Sequence, residues 1–285
     1  MVQRFSLRAD GDKQLSKNFK VREFACKDGS DPILIDLNLI PIIQILRDKW
    51  GPGNINSAYR HLLYNRSIGS GDTSRHVQGK AVDIRYIDTR TGGRTQVPPR
   101  EVAAWFEYLG FRGVGEYRTF THGDTGPRKA TWFNYGRETL RGTHLTDAFP
   151  PPVSASGIIT ASALRVRELP TTNAPILTTL PRDTSASIDV VYEKWGKLHG
   201  IPGWIHLDYF EEKKDPDPIA TGDKVTVSGR GWGTSFKTGT RTQFYTNQPA
   251  TVVAIHEGRA APYQITVDPR ERWTTGFFDE EQVNG

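Results

Sequence analysis

The chain has 285 residues, and its 37 Lys and Arg against 32 Asp and Glu give a formal net charge of +5. This length favours two or three modules over one compact core, and the longest apolar-rich stretch, residues 32–50, holds too many polar residues to span a membrane. A single cysteine, Cys26, excludes an intramolecular disulfide and a thiolate cluster, so His and carboxylate side chains must hold any metal.

The positive charge lies in the first half of the chain. Residues 1–150 carry 23 basic and 16 acidic residues, or +7, whereas residues 151–285 carry 14 and 16, or −2. Such a field suits an anionic partner, and nucleic acid is the alternative it favours. No run of Lys and Arg exceeds two residues, so ordinary solvated surface explains the charge equally well, and we expect no nucleic-acid partner.

The first ten residues lack an apolar segment followed by a small-residue cleavage site. We therefore expect a protein made in the cytoplasm without a signal peptide, with no membrane insertion.

The first 150 residues predict an α+β domain. Apolar residues recur at helical spacing over 37–50 until Gly and Pro at 51–53 end the pattern, and Pro98–Pro99 opens a second helix that Gly110 caps. Strands are predicted over 55–60, 81–87 and 111–120, with residues 121–124 at the end of the last. Helices beside several strands indicate one domain over residues 1–150.

The rest of the chain predicts two small all-β modules. Three prolines at 150–152 form a stiff connector. Residues 155–212 show short Val, Ile, Thr and Leu runs between Pro, Gly, Asn and Asp turns. The charged, Pro-containing segment 211–218 is a second linker, and residues 219–285 repeat the short-strand pattern. The fold class is therefore multidomain.

His76, Asp83 and His122 are candidate metal ligands. A catalytic zinc takes three protein ligands and keeps one position for water, and His nitrogen with Asp oxygen suits it without thiolates. A turn at Gly79 would bring His76, on a loop, towards Asp83, on a strand. His122 belongs to a separate segment, so spacing alone does not establish the contact.

The residues around these three carry a family resemblance. The segment Asn56-Ser57-Ala58-Tyr59-Arg60, the string Ser74-x-His76-x-x-Gly79-x-Ala81-x-Asp83 and the segment from Gly113 to Asp124 resemble the D-alanyl-D-alanine carboxypeptidase type of zinc peptidase. The resemblance covers most of residues 15–125. It implies that His76, Asp83 and His122 bind one Zn²⁺, that Arg60, Ser74 and Tyr117 are substrate-binding residues, and that the substrate is a peptide bond of bacterial peptidoglycan.

The general base is harder to place, because Thr119 stands where related enzymes often have an acid three residues before the last His. Two catalytic candidates remain. Asp124 would share a face with His122 on an extended segment, as a base or as a residue that orients His122. Glu116 has matching parity and fits either a proton relay to the leaving amine or a surface charge.

Other polar residues have competing interpretations. Arg60 suits a substrate carboxylate or a developing oxyanion, and a structural ion pair is the alternative. Ser74 supports its loop or touches substrate. His61 and His144 have no spacing argument, and we expect both at the surface.

The second module, with its Trp195-Gly196-Lys197-Leu198 and Gly203-Trp204-Ile205-His206 segments, resembles a bacterial SH3-like domain. The third, with Gly222–Val227, residues 250–255 and residues 273–279, resembles a second small barrel found in phage-type lysins. We expect Trp195 and Trp204 to fill the barrel core rather than to bind sugar.

Together these features predict a monomeric endolysin or autolysin: a zinc peptidase that cuts peptidoglycan after release from the cell, joined to two wall-binding barrels that raise its local concentration. A catalytically weak or inactive wall-binding protein is the alternative, favoured by Thr119.

Overall fold

The protein is described here from a computed structural model, which covers residues 1–90, 92–136, 138–146, 149, 151–213, 221–222, 224–230, 232, 245–255, 261–266, 276–278 and 283–284. The chain divides into two compact units, Met1–Lys213 and Lys214–Gly285. Pro150 of the predicted connector, residues 214–218 of the predicted linker, and residues 273–275 and 279 of the predicted last barrel lie outside the described residues. The division into three domains stays a prediction.

Helices and strands are mixed along the first 146 residues. The elements are β1 (Val2–Phe5), α1 (Leu7–Asp10), a 3-10 helix (Val21–Phe24), β2 (Ile33–Asp36), α2 (Leu39–Trp50), β3 (Gly53–Ser57), α3 (Leu62–Ser67), β4 (Ala81–Asp88), β5 (Thr95–Gln96), α4 (Pro99–Leu109), β6 (Gly113–Tyr117), β7 (Thr121–Asp124), β8 (Ala130–Asn134) and β9 (Thr139–Arg141).

One sheet organises this domain. Its strand order is β3-β4-β7-β6-β8-β9, with β5 on the end of β4. Only β6 and β8 run parallel among these pairs. Helices α2 and α4 pack on the sheet and on each other, which agrees with the predicted α+β architecture.

Both long helices follow the sequence pattern. Helix α2 buries its apolar residues and ends before Gly51, whose φ of 137° is accessible to glycine. Helix α4 begins with Pro99 in its first turn and ends before Gly110, a left-handed C-cap with φ 119°. The predictions for these two helices are confirmed.

The predicted single strand over 111–120 is wrong, because a turn divides the segment. Tyr117 N–H donates to the Phe120 carbonyl, and the two aromatic rings stack with centroids 4.5 Å apart. Arg118 and Thr119 are exposed between them. These contacts close a tight hairpin between two antiparallel strands, so His122 lies on the returning strand β7.

The second module forms a sheet of seven strands. They are β10 (Ala155–Ile159), β11 (Ala163–Arg167), β12 (Ile176–Pro181), β13 (Ser185–Tyr192), β14 (Trp195–Leu198), β15 (Trp204–His206) and β16 (Phe210–Glu212), with a 3-10 helix at Leu207–Tyr209. The order β12-β11-β15-β14-β13-β10-β16 is an open path, with no pairing between its end strands in this fully described segment. The SH3-like barrel stays a prediction.

Trp195 and Trp204 are buried, but not in the core of their own module. That core contains Ile159, Leu164, Val166, Ile188, Leu198 and Ile205. The two Trp residues belong to the hydrophobic cluster of the first domain, and Trp204 Nε1–H donates to the carbonyl of Leu109 at 3.1 Å. The expectation that they fill the barrel core is corrected, because both meet the first domain instead.

The described part of residues 214–285 contains a five-stranded sheet of order β20-β19-β18-β17-β21. Its strands are β17 (Lys224–Gly229), β18 (Tyr245–Ile255), β19 (Tyr263–Thr266), β20 (Gly276–Phe278) and β21 (Val283–Asn284). Val227, Ile265 and Phe278 lie in its core. Within the described ranges of the whole chain, no helix is long and apolar enough to cross a membrane.

Candidate metal centre

His76 lies in the loop before β4. Ser74 stabilises this loop: its hydroxyl accepts from His76 N–H at 3.3 Å and its carbonyl from Val77 N–H at 3.1 Å. Gly79 has φ 68°, and a Cβ there would lie 2.5 Å from the Leu34 carbonyl oxygen. Any side chain at 79 would push the loop off β2, so the turn requires glycine, as expected.

Asp83 and His122 are cross-strand neighbours. Asp83 on β4 lies directly opposite His122 on β7 in the antiparallel register. Directly opposed residues point to the same face of a sheet, a few ångströms apart. The sheet therefore supplies two of the candidate ligands and the loop supplies the third, His76.

Three atoms converge at this point, and all three side chains are buried. Asp83 Oδ1 lies 2.9 Å from His122 Nδ1 and 3.3 Å from His76 Nε2, and the two nitrogens are 3.3 Å apart. A tetrahedral zinc with bonds of about 2.0–2.1 Å separates its ligand atoms by about 3.3–3.4 Å. The donor set and its spacing fit one zinc ion.

Hydrogen bonds at the outer nitrogens fix which ring atom faces the centre. His76 Nδ1 lies 2.7 Å from the Ala58 carbonyl, to which it must donate, and this leaves Nε2 as an acceptor. His122 Nε2 lies 3.2 Å from Asp124 Oδ2. A proton on Nε2 leaves Nδ1 of His122 towards Asp83 and His76.

Asp124 is therefore placed behind His122. Its other oxygen accepts from Gly126 N–H at 2.7 Å. A Cβ at Gly113, its cross-strand neighbour, would lie 1.8 Å from Asp124 Oδ2. This buried carboxylate fits the role of orienting His122, and its place on the outer nitrogen argues against the role of base.

The negative charge of the carboxylates at the centre is balanced by a proton on His122 and by the guanidinium of Arg60. Burial opposes ionisation of Asp83, but the attraction of His76 and His122 holds its pKa well below the usual range. Burial lowers the pKa of His76. Burial also lowers the pKa of His122, but the hydrogen bonds that its ring donates to the carboxylates of Asp124 and Asp83 outweigh burial and raise that pKa to about 9. The carboxylates of Asp83 and Asp124 thus favour a positive charge at the centre, which a divalent cation would supply.

Arg60 forms an ion pair with Asp83, one of the candidate metal ligands. Its Nη2 donates to Asp83 Oδ2 at 2.8 Å and its Nε to Ser57 Oγ at 2.8 Å. This is the structural ion pair that the sequence left as an alternative to substrate binding. Arg60 orients the carboxylate of Asp83, while its contact with substrate stays a prediction.

Glu116 lies on the opposite face of the sheet. Gly115, not Glu116, is the neighbour of His122, and Glu116 lies opposite Thr121. Its carboxylate is 3.9 Å from His144 Nε2, on the side that α4 covers. The sequence predicted that Glu116 shares a face with His122, and this is wrong because the hairpin turn lies between the two residues. The structure therefore does not bring this catalytic candidate to the metal ligands. Burial raises the pKa of Glu116.

His144 is fully buried, which corrects its expected surface position. Its backbone N–H donates to Glu107 Oε2 at 2.9 Å, and its Nε2 lies 3.1 Å from the Trp132 carbonyl. His61 is half-buried at the start of α3. The carboxylate of Glu107 on α4 thus accepts from the buried backbone of His144, and it lies 3.6 Å from the ring Nδ1.

Trp132 is a site residue that the sequence did not single out. Its indole lies 5.3 Å from the His122 ring, and its Nε1–H donates to the Tyr117 hydroxyl at 3.3 Å. Tyr117, the predicted substrate-binding residue, is thus on the metal face. In the sequence, the alternation of side chains along β8 indicates that Trp132 lies on one face of the sheet. Only the parallel pairing of β6 and β8 shows that this face is the metal face.

Comparison with curated proteins found no match to the chain. The family model described as Peptidase M15 matches residues 15–124, a segment that includes all three candidate ligands and Asp124. The match and the donor geometry support an M15-type zinc metallopeptidase in the first domain.

Proposed function

We propose that the protein is a zinc-dependent peptidoglycan peptidase of the D-alanyl-D-alanine carboxypeptidase or endopeptidase type. The observation that carries this proposal is the convergence of His76 Nε2, Asp83 Oδ1 and His122 Nδ1 within 4.8 Å of one another. The Peptidase M15 match over the same residues supports peptide hydrolysis.

Each residue of the centre has a distinct task. His76, Asp83 and His122 would hold the ion. When bound, the ion would polarise the scissile carbonyl and lower the pKa of water, so that hydroxide would be available as the nucleophile near neutral pH. Asp124 keeps the proton of His122 on Nε2. Arg60 holds Asp83 through its second oxygen, and Tyr117 and Trp132 form a wall beside the centre.

The proton acceptor is the point on which the alternative function depends. Among the described residues, the carboxylates in contact with the ligand set are Asp83 itself and Asp124 behind His122. Thr119 is exposed in the turn, where its carbonyl accepts from Gln96. This arrangement is the observation that favours a weak or inactive wall-binding protein.

We further propose that the full chain acts as an endolysin or autolysin. The two β modules would attach it to the cell wall as SH3-like domains, in a monomeric protein made in the cytoplasm and released to act on the wall. The support is the resemblance of both modules and the benefit of tethering an enzyme to an insoluble substrate.

Digestion of purified peptidoglycan tests the proposal. Zinc-loaded wild-type protein should release new amino groups, and His76→Ala should release none. Mass spectrometry of the fragments would then identify the bond that is cut. Equal inertness of both proteins, with zinc bound to the wild type, would favour the wall-binding alternative.

A further inference from the structure

One row of residues crosses the metal face of the sheet. The pairings run from Ser57 through Asp83, His122, Gly115 and Trp132 to Arg141, each directly opposite the next. Paired residues share a face, so the row places Trp132 and Arg141 beside the metal ligands. Arg141 lies beyond residues 15–124, the segment that matches the family model.

Gly115 leaves the space that Trp132 fills. A Cβ at Gly115 would lie 2.4 Å from Trp132 Cε2, so the indole lies against the bare backbone of β6. Between His122 and Arg141 the metal face of the sheet therefore holds the half-buried indole of Trp132. An aromatic ring at this position suits contact with an apolar or backbone portion of a peptide.

Arg141 ends the row with an available positive charge. It is exposed, and its guanidinium lies over the Trp132 ring at 5.8 Å from the centroid, which directs it back towards the metal centre. Among the residues that the structure describes, no carboxylate lies within 4.0 Å of it. Arg60, at the other end of the row, is already paired with Asp83.

We infer that Arg141 and Trp132 form a subsite for a substrate carboxylate remote from the scissile bond. His122 and Arg141 are three strand spacings apart, roughly 14 Å between Cα atoms. Because the arginine side chain reaches back over Trp132, the carboxylate it binds lies roughly two to four residues along an extended peptide. The inference rests on the proposed peptidase function, and it gives that function a preference for an acidic peptide.

Equilibrium binding of two peptides to the zinc-loaded full chain tests this subsite without requiring turnover. The probes are a soluble stem peptide from peptidoglycan with free carboxylates and the same peptide with its carboxylates converted to amides. Wild-type protein should bind the acid form about tenfold more tightly at low salt, as expected for a charge-assisted hydrogen bond at an exposed arginine. That preference should shrink as salt is raised.

Arg141→Gln should abolish the preference for the acid peptide while leaving affinity for the amide within about twofold. Arg100→Gln is the matched control, because Arg100 is also exposed and lies over an aromatic ring of β8, Phe133, on the opposite face. It should keep the wild-type preference.

Equal affinity of the wild type for both peptides would overturn the subsite. An equal loss of affinity for both peptides in Arg141→Gln would also overturn it. New amino groups, measured in the same samples, report separately on the proposed function. An Arg141-dependent preference without any cleavage would retain the subsite and reject the peptidase.

Discussion

His122 has a different neighbour at each ring nitrogen, and this difference separates the two roles that the sequence allowed for Asp124. Nδ1 faces Asp83, whereas Nε2 faces Asp124. A base must reach the attacking water, whereas an orienting carboxylate must reach the far nitrogen. Asp124 satisfies only the second requirement.

Asp124→Ala should therefore weaken zinc affinity about 10- to 100-fold, since His122 loses the carboxylate that fixes its tautomer. Competition with a chelator measures this affinity. Asp72→Ala, at an exposed position paired with Arg66, is the control and should bind zinc normally. Unchanged zinc affinity with a kcat loss of about 100-fold or more would instead identify Asp124 as the base.

The types of the residues in the site were predictable from the sequence, but the residues that each of them contacts were not. The His, Asp and His ligands are ordinary zinc donors in a recognisable motif. The choice of Nδ1 on His122 depends on Asp124 and on the register of two strands. The burial of His144 depends on Glu107, a residue 37 positions earlier, and no local pattern predicts such a contact.

At the scale of elements, the hairpin of β6 and β7 decides the site. The sequence indicated a strand, but the turn at residues 118–120 reverses its direction and places Glu116 on the α4 face. Glycines at 113 and 115 then leave space for Asp124 and Trp132. The helices were predictable because capping and periodicity are local, whereas the register of six strands is not.

Gly115→Ala should destabilise the domain by about 1–3 kcal/mol, because the new methyl group collides with the indole of Trp132. Urea unfolding measures the change. Gly136→Ala is the control, since nothing lies within 4 Å of a Cβ there, and its effect should stay within about 0.5 kcal/mol. Equal stability of the Gly115 variant and the wild type would show that Trp132 does not lie against β6.

Glu107 on α4 gives the domain an acid-sensitive contact. Burial raises the pKa of Glu107, but hydrogen bonds from His144 and Thr143 outweigh burial and lower that pKa to about 2. A carboxylate with a depressed pKa stabilises the fold above its unfolded pKa of about 4.5 and loses this contribution as the pH falls towards 2.

Between pH 4.5 and 2, the wild type should lose up to about 3 kcal/mol more than Glu107→Gln. Urea unfolding at a series of pH values measures the difference. Glu101→Gln, at an exposed position on the same helix, should keep the wild-type slope. Parallel pH profiles for Glu107→Gln and the wild type would contradict the contact.

At the scale of the molecule, residues 1–213 form one compact unit although their sheets are separate. Trp204 donates to the last turn of α4, and Arg112 forms an ion pair with Glu168. The connector at 150–152 suggested independent modules, because composition shows a linker but not the surfaces that meet across it.

Trp204→Ala should destabilise this unit by about 3–5 kcal/mol, as expected for removal of a fully buried aromatic side chain. Because the cluster includes the first domain, the metal centre should unfold at a lower temperature in the variant. Calorimetry with zinc release followed in parallel measures both events. An unchanged zinc-release temperature beside an early second transition would indicate independent modules.

We propose that His76, Asp83 and His122 hold one zinc ion and that this ion makes the protein a peptidase. Titration of the metal-free full chain with zinc, with release of amino groups from purified peptidoglycan followed at each step, tests both parts of this proposal. Activity should rise to a plateau at one zinc per chain in the wild type and stay at background in His76→Ala. A wild-type protein that takes up one zinc and remains at background, or that cleaves fully without zinc, would contradict the account.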